Sequence, residues 1–179
     1  MAIAGPSAFT PEDLLLITDR PMPELVLGEL NEREMDEESD GIAAMILRIV
    51  ANHVLEHDLG RVHGAQCGYQ IFPDDPRKVR IPDVSFIRKG SPVARGHAKT
   101  VPNLVVEVLS PNDLAVDLIE KLEDYHAAGV PLIWIVDPEM KTVRVERRDG
   151  VNTRLRADDT IDGGDTLPGF RCIVREFFT

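Results

Sequence analysis

The sequence predicts an α/β (α+β) fold, a mixed central sheet flanked by helices and carrying β-hairpins. Three observations lead there. The run Leu104-Val105-Val106-Glu107-Val108-Leu109 is apolar on both alternating faces, the mark of a strand covered on both sides. A helical stretch at 115–128 separates it from a second apolar run at 132–136, so the two strands are joined by a crossover, which makes them parallel and the connection right-handed. Beyond them TVRVERR, the turn Asp149-Gly150 and VNTRLRA read as a hairpin, which adds antiparallel strands to the parallel pair.

Taken in order, Thr10-Pro11-Glu12-Asp13 opens a helix, with Thr10 as N-cap and Pro11 in the first helical position. ELVLGEL (24–30) is short, apolar and turn-bounded, and reads as one strand. Residues 42, 45, 46, 49, 50, 53 and 54, apolar apart from His53, form a helical stripe over 42–59, which Gly60 can end. Further strands are expected at 68–72, 83–88, 104–109 and 132–136. In the helix at 115–128, Leu118, Leu122 and Tyr125 share a face and Gly129 stops the helix.

A chain of 179 residues that is 43% hydrophobic suits one domain, 1–179, with 1–23 as an N-terminal helical extension. The start of the chain has no basic segment followed by a long apolar one, and no apolar run nears the roughly 18 residues of a membrane span. Cys67 and Cys172 stand far apart with no metal-type spacing. Together these predict a reducing, cytoplasmic setting without a membrane. The net charge of -11 opposes nucleic-acid binding at first sight. The acid is concentrated, however: residues 1–60 hold 13 Asp/Glu against 3 Lys/Arg. NEREMDEESD (31–40) reads as a solvated acidic loop. Between Arg77 and Lys99 stand seven bases and one acid, Asp83.

An ionised carboxylate inside the buried run 104–109 costs several kcal/mol unless it is paired, hydrogen-bonded or metal-bound. Glu107 therefore needs a partner. Asp83 leads IPDVSFI, a second apolar strand 24 residues earlier, with Ser85 and Ile87 on its own face. Two such carboxylates can meet on one face of neighbouring strands, where like charges repel unless a cation or a shared proton lies between them. Hard carboxylate oxygens with water suit Mg2+ or Mn2+. Lys121, on the edge of the buried face of the 115–128 helix, either pairs with Asp117 at the surface or reaches over the strand ends beside Glu107.

PDVSFI, LVVEVLSPND, DLIEKLEDYHAAGVPLIWIVDPEMKTVRV and DTLPGF resemble the Uma family of restriction-endonuclease-like proteins over about residues 24 to 178. The resemblance implies the PD-(D/E)xK nuclease fold, Mg2+ as cofactor and a homodimer. It casts Asp83 as the PD aspartate and Glu107 as the second acidic ligand, with the backbone carbonyl of Val108 as a further metal contact. The usual lysine two positions on is here Leu109, and its role passes to Lys121 on the helix. Glu29 also matches a family position. One departure is Asp40-Gly41, where the family often has a histidine before the glycine.

The implied activity is metal-assisted phosphodiester hydrolysis of nucleic acid, DNA before RNA. Lys121 orients the nucleophile or stabilises the pentavalent phosphorus, and basic residues of 77–99, Arg80, Arg88 and Lys89 foremost, grip the substrate backbone. The competing reading is an inactive binding module on the same fold, accessory to a mobile element or defence system. HVLEH (53–57) matches an inverted zinc-peptidase pattern, but that needs a third ligand on a later helix and no glycine or histidine context supports it. His53 packed on the apolar stripe and His57 near the helix C-terminus, where a cation is favoured, account for both.

Overall fold

The computed structural model describes residues 8–18, 22–32, 36–111 and 114–179; Asn112-Asp113, where the sequence pattern breaks, lie outside them. Helix α1 (Pro11–Leu14) starts as expected: Thr10 Oγ1 accepts the Asp13 N–H, and the Asp13 carboxylate accepts the Thr10 N–H. The stretch at 24–30 is a hairpin rather than one strand. β1 (Glu24–Val26) turns through Leu27 and Gly28 into β2 (Glu29–Asn31). Leu27 (φ 51°) and Gly28 (φ 82°) both hold positive φ, the geometry of a two-residue hairpin turn.

Helix α2 (Glu37–Glu56) begins at Glu37, ahead of the expected Ile42. Asp36 caps it by accepting the N–H groups of Glu38 and Ser39. Glu37, Glu38 and Asp40 then lie in the first turn, where the helix dipole favours negative charge. Part of the acidic run is thus a helix start and not a loop.

β3 (Gly60–Gly64) fills a stretch where no strand was expected, and 68–72 forms none. Tyr69 makes only isolated bridges, to Arg80 and Ala98. An edge strand needs a single partner, and β3 finds it in β4 (Val84–Arg88), whereas Tyr69 and Phe72 put their apolar surface into packing. β5 (Leu104–Val108), α3 (Ala115–Ala128), β6 (Leu132–Asp137), β7 (Thr142–Arg147) and β8 (Asn152–Arg156) follow close to expectation. Gly129, at φ 83°, ends α3 as its left-handed cap. The six strands pair in the order β3-β4-β5-β6-β7-β8, with β5 and β6 parallel and the other neighbours antiparallel. A small pair, β9 (Thr160–Asp162) and β10 (Arg171–Ile173), and a 3-10 helix at Val174–Phe178 close the chain.

Alternation of side chains gives each face of the sheet its own core. Val84, Phe86, Val106, Val108 and Trp134 pack with Ile42, Ile46, Val50 and Val54 of α2 and with Phe170 and Phe177. On the other face Val105, Ile133 and Ile135 meet Leu122 and Tyr125 of α3, and Phe72. Each such side chain contributes about 1.5–3 kcal/mol when fully buried. This is why β5 is apolar on both faces, and why Glu107, in register with Val105, points at α3 and not at α2. No helix among the described residues is long and apolar enough to cross a membrane.

Candidate active site

The β4–β5 ladder pairs Phe86 with Leu104, Ser85 with Val105 and Val84 with Val106. Continued by one residue, the same register sets Asp83 opposite Glu107, with both side chains on the α3 face. Asp83 Oδ2 accepts the main-chain N–H of Val108 at 2.7 Å, so the carboxylate takes the place of a ladder acceptor just where the strand pairing ends. Both acids are 2% exposed.

Helix α3 brings Lys121, Asp124 and Tyr125 to this face, spaced three and four residues apart as helical geometry requires. Lys121 Nζ donates to Glu107 Oε2 at 2.9 Å and lies 2.9 Å from Glu24 Oε1. The Ile81 carbonyl is 3.5 Å from the same ammonium. Tyr125 OH donates to Glu107 Oε1 at 2.8 Å. Lys121 is buried, so the surface pair with Asp117 does not describe it. Asp83, Glu107, the Val108 main chain and Lys121 thus meet in one place. Leu109, where a strand-borne lysine would stand, packs instead against the apolar cluster beneath α3.

Arg80 is placed differently from the expectation that it grips substrate. It is 4% exposed, its Nε is 2.7 Å from Asp124 Oδ2, and its Nη1 is 3.1 Å from Glu24 Oε2. A buried guanidinium flanked by two carboxylates serves the interior, because leaving either acid unpaired there would be costly. Burial works against the Arg80 charge, but Glu24 and Asp124 more than offset it and hold the pKa above its ordinary value. Lys78 behaves likewise: burial opposes its charge, and its bonds to Asp124 (2.5 Å) and Asp74 (2.7 Å) raise its pKa.

Glu24, Asp124 and Lys78 were not foreseen as members of this network. Asp124 and Tyr125 left a signal, since both fall one turn beyond Lys121. Glu24 left none, because its partners are 56 to 97 residues away in sequence and nothing local separates it from a surface acid. Glu29, the acid that did attract notice, is exposed on β2.

Arg88 and Lys89 lie at the far end of β4, about 17 Å along the strand from Asp83 at the usual rise per residue. Arg88 Nη2 donates to the carbonyls of Asp165 and Thr166, and Lys89 pairs with Asp58 at the surface. Asp40 is exposed in the first turn of α2. His53 and His57 stack with ring centroids 4.3 Å apart. His53 Nε2 bonds the Pro168 carbonyl, and His57 Nδ1 bonds the His53 carbonyl. Both imidazoles therefore have protein partners.

The buried charges around Glu107 bear on whether a cation fits. Among the described residues the buried carboxyl side chains here are Glu24, Asp83, Glu107 and Asp124, interleaved with the buried bases Lys78, Arg80 and Lys121. No group of three or more His, Cys, Asp and Glu side chains among the described residues is arranged as a ready metal cluster. The donor set is thus two carboxylates, with main-chain oxygen and water to complete it. That set fits Mg2+, which keeps several waters and takes one or two carboxylates.

The Uma2 family model, described as "Putative restriction endonuclease", matches residues 11–175. A crystal structure of a putative nuclease belonging to DUF820 from Anabaena variabilis superposes with a TM-score of 0.76 at 18% sequence identity, covering 95% of this chain and 97% of that one. At that identity the likeness shows a common fold. No curated protein matches the chain.

Proposed function

Because the chain belongs to the Uma2 family, described as putative restriction endonucleases, and has a nuclease-like fold, we propose that it is a Mg2+- or Mn2+-dependent endonuclease hydrolysing phosphodiester bonds, of DNA before RNA. The observation that carries the reading is the convergence of Asp83, the residue just before β4, Glu107 from β5 and Lys121 from α3, with Lys121 Nζ 2.9 Å from Glu107. Asp83, Glu107 and the Val108 carbonyl would hold the cation. When bound it would supply charge neutralisation at the phosphate and a more acidic water.

The protein's own groups have separate tasks in this reading. Tyr125 fixes the orientation of the Glu107 carboxylate through its 2.8 Å bond. Lys121 presents an ammonium to the attacking water or to the phosphoryl oxygens, where charge builds in the transition state. Arg80 holds the acids from within and leaves the substrate to others. Arg88 and Lys89 would grip backbone phosphates some distance from the scissile bond. Residues 1–179 would act as one restriction-endonuclease-like domain, paired as a homodimer in the cytoplasm.

A second reading, an inactive binding module, draws on one observation: both Glu107 oxygens already bond within the protein, to Lys121 and Tyr125. One experiment separates the two. The purified chain is incubated with single- and double-stranded DNA and RNA, with Mg2+, with Mn2+ and with EDTA, beside Asp83→Ala. Metal-dependent cleavage that Asp83→Ala abolishes supports the enzyme. Binding without cleavage under every condition supports the module.

A further inference from the structure

We propose that Glu24 is a positioning residue of this site. It shares Lys121 with Glu107, so the ammonium keeps one anchor when an oxygen of Glu107 is given to a divalent cation. The inference rests on the metal-dependent reading above and deepens it.

Three features point to Glu24. Lys121 Nζ stands between two carboxylates at the same distance, 2.9 Å to Glu24 Oε1 and 2.9 Å to Glu107 Oε2. Glu107 can therefore release the ammonium without leaving it unpaired in a buried place, which would carry a heavy desolvation cost. Glu24 is itself held firmly. Its Oε1 accepts the Ile81 N–H at 2.7 Å and its Oε2 accepts Arg80 Nη1 at 3.1 Å.

The third feature is closure. Arg80 Nε donates to Asp124 at 2.7 Å, and Asp124 stands three residues after Lys121 on α3. The path from α3 through Lys121, Glu24, Arg80 and Asp124 returns to α3 as a ring. Lys78 Nζ, 2.5 Å from Asp124 Oδ1, braces it from outside. Residues 80–83 carry Arg80 of this ring, Ile81, whose N–H bonds Glu24, and, after Pro82, Asp83. The ring and the acid that faces Glu107 thus share one short stretch of backbone. Such support from surrounding bonds holds a functional group within a fraction of an ångström of its working position.

The test is Mn2+ affinity by isothermal titration calorimetry on the full chain, in wild type, Glu24→Asp, Lys121→Met and the double variant, each checked for fold by circular dichroism. Glu24→Asp keeps the charge but shortens the reach to Lys121, which then stays on Glu107 and competes with the cation. Affinity should fall about tenfold, a coupling of ordinary size for residues in one network. Lys121→Met removes the competitor and should tighten Mn2+ binding. In the Lys121→Met background, Glu24→Asp should have almost no effect. If Glu24→Asp does not fold, Glu24→Gln is measured in the same cycle.

Equal losses in both backgrounds, or no loss in either, overturn the role of Glu24 and leave the metal-dependent reading standing. A wild type that binds no Mn2+ sinks the metal-dependent reading, and this inference with it.

Discussion

Replacing Lys121 by Met tests the core of the site through stability as well as activity. The side chain is 8% exposed and its ammonium lies 2.9 Å from two carboxylates, which are themselves 4% and 3% exposed. Met has nearly the same length, so the substitution removes the charge and opens little cavity. Removing one partner of a buried ion pair costs about 3–5 kcal/mol. Here Arg80 still serves Glu24 and Tyr125 still serves Glu107. The lower end, about 3 kcal/mol, is therefore expected.

Urea unfolding in EDTA measures it, as a lower midpoint at unchanged slope. At a fixed Mn2+ concentration the variant should then regain more stability than the wild type, because the freed carboxylates bind the ion more tightly; at a hundredfold excess over Kd the gain is about 2.7 kcal/mol. Under the proposed mechanism cleavage should be lost in the folded, metal-loaded variant, since the ammonium would act mainly on the transition state. A stability loss below about 1 kcal/mol, the range of solvent-screened surface pairs, would refute the buried bridge from which this reasoning starts.

Three further outcomes are expected. Glu107→Gln should keep the fold, since an amide can still accept a hydrogen bond, but lose the rise in melting temperature that Mn2+ should give the wild type; an unchanged rise removes Glu107 from the proposed metal ligands. Charge reversal at Arg88 and Lys89 should weaken binding to a long duplex, and flatten its salt dependence, more than it weakens binding to a short oligonucleotide that spans only the Asp83 end of β4. Equal effects on both lengths would place the substrate path elsewhere. Asp36 has its pKa lowered, first by the Ser39 N–H and then by the Ser39 hydroxyl. A lowered folded pKa means that its stabilisation is present above the ordinary value of 3.8 and fades as pH falls through the folded value. The stability gap between wild type and Asp36→Ala should therefore be widest at neutral pH and close in acid. A gap independent of pH, followed by thermal unfolding from pH 2 to 7, refutes the charged cap.

Strand β5, helix α3, strand β6 and the β7–β8 hairpin stand where pattern alone put them, because each is specified by its own few residues. Periodicity tells which faces of α3 and β5 are buried, and Gly129 marks its stop wherever the rest of the chain goes. Glu107 announced itself in the same way, as a charge inside a run too apolar to be solvated. Elements that depend on a distant partner were not legible. β3 is a strand because β4 offers it an edge, and 68–72 fails to be one because Tyr69 and Phe72 are used in packing. The Leu27-Gly28 turn splits what looked like one strand, since alternation does not show where a chain folds back.

The same division runs through the site. Asp83, Glu107 and Lys121 could be singled out from their sequence neighbours. That they meet follows from the β4–β5 register and from the crossover that returns α3 over β5. Arg80 looked from its basic neighbourhood like a phosphate contact, and Glu24 looked like one acid among many. A charge's partner is set by which strands and helices lie side by side in three dimensions, and that information is absent from the residues flanking it. Local chemistry could thus name candidate groups, whereas folding settled which of them are paired, which are shared, and which are left facing the solvent.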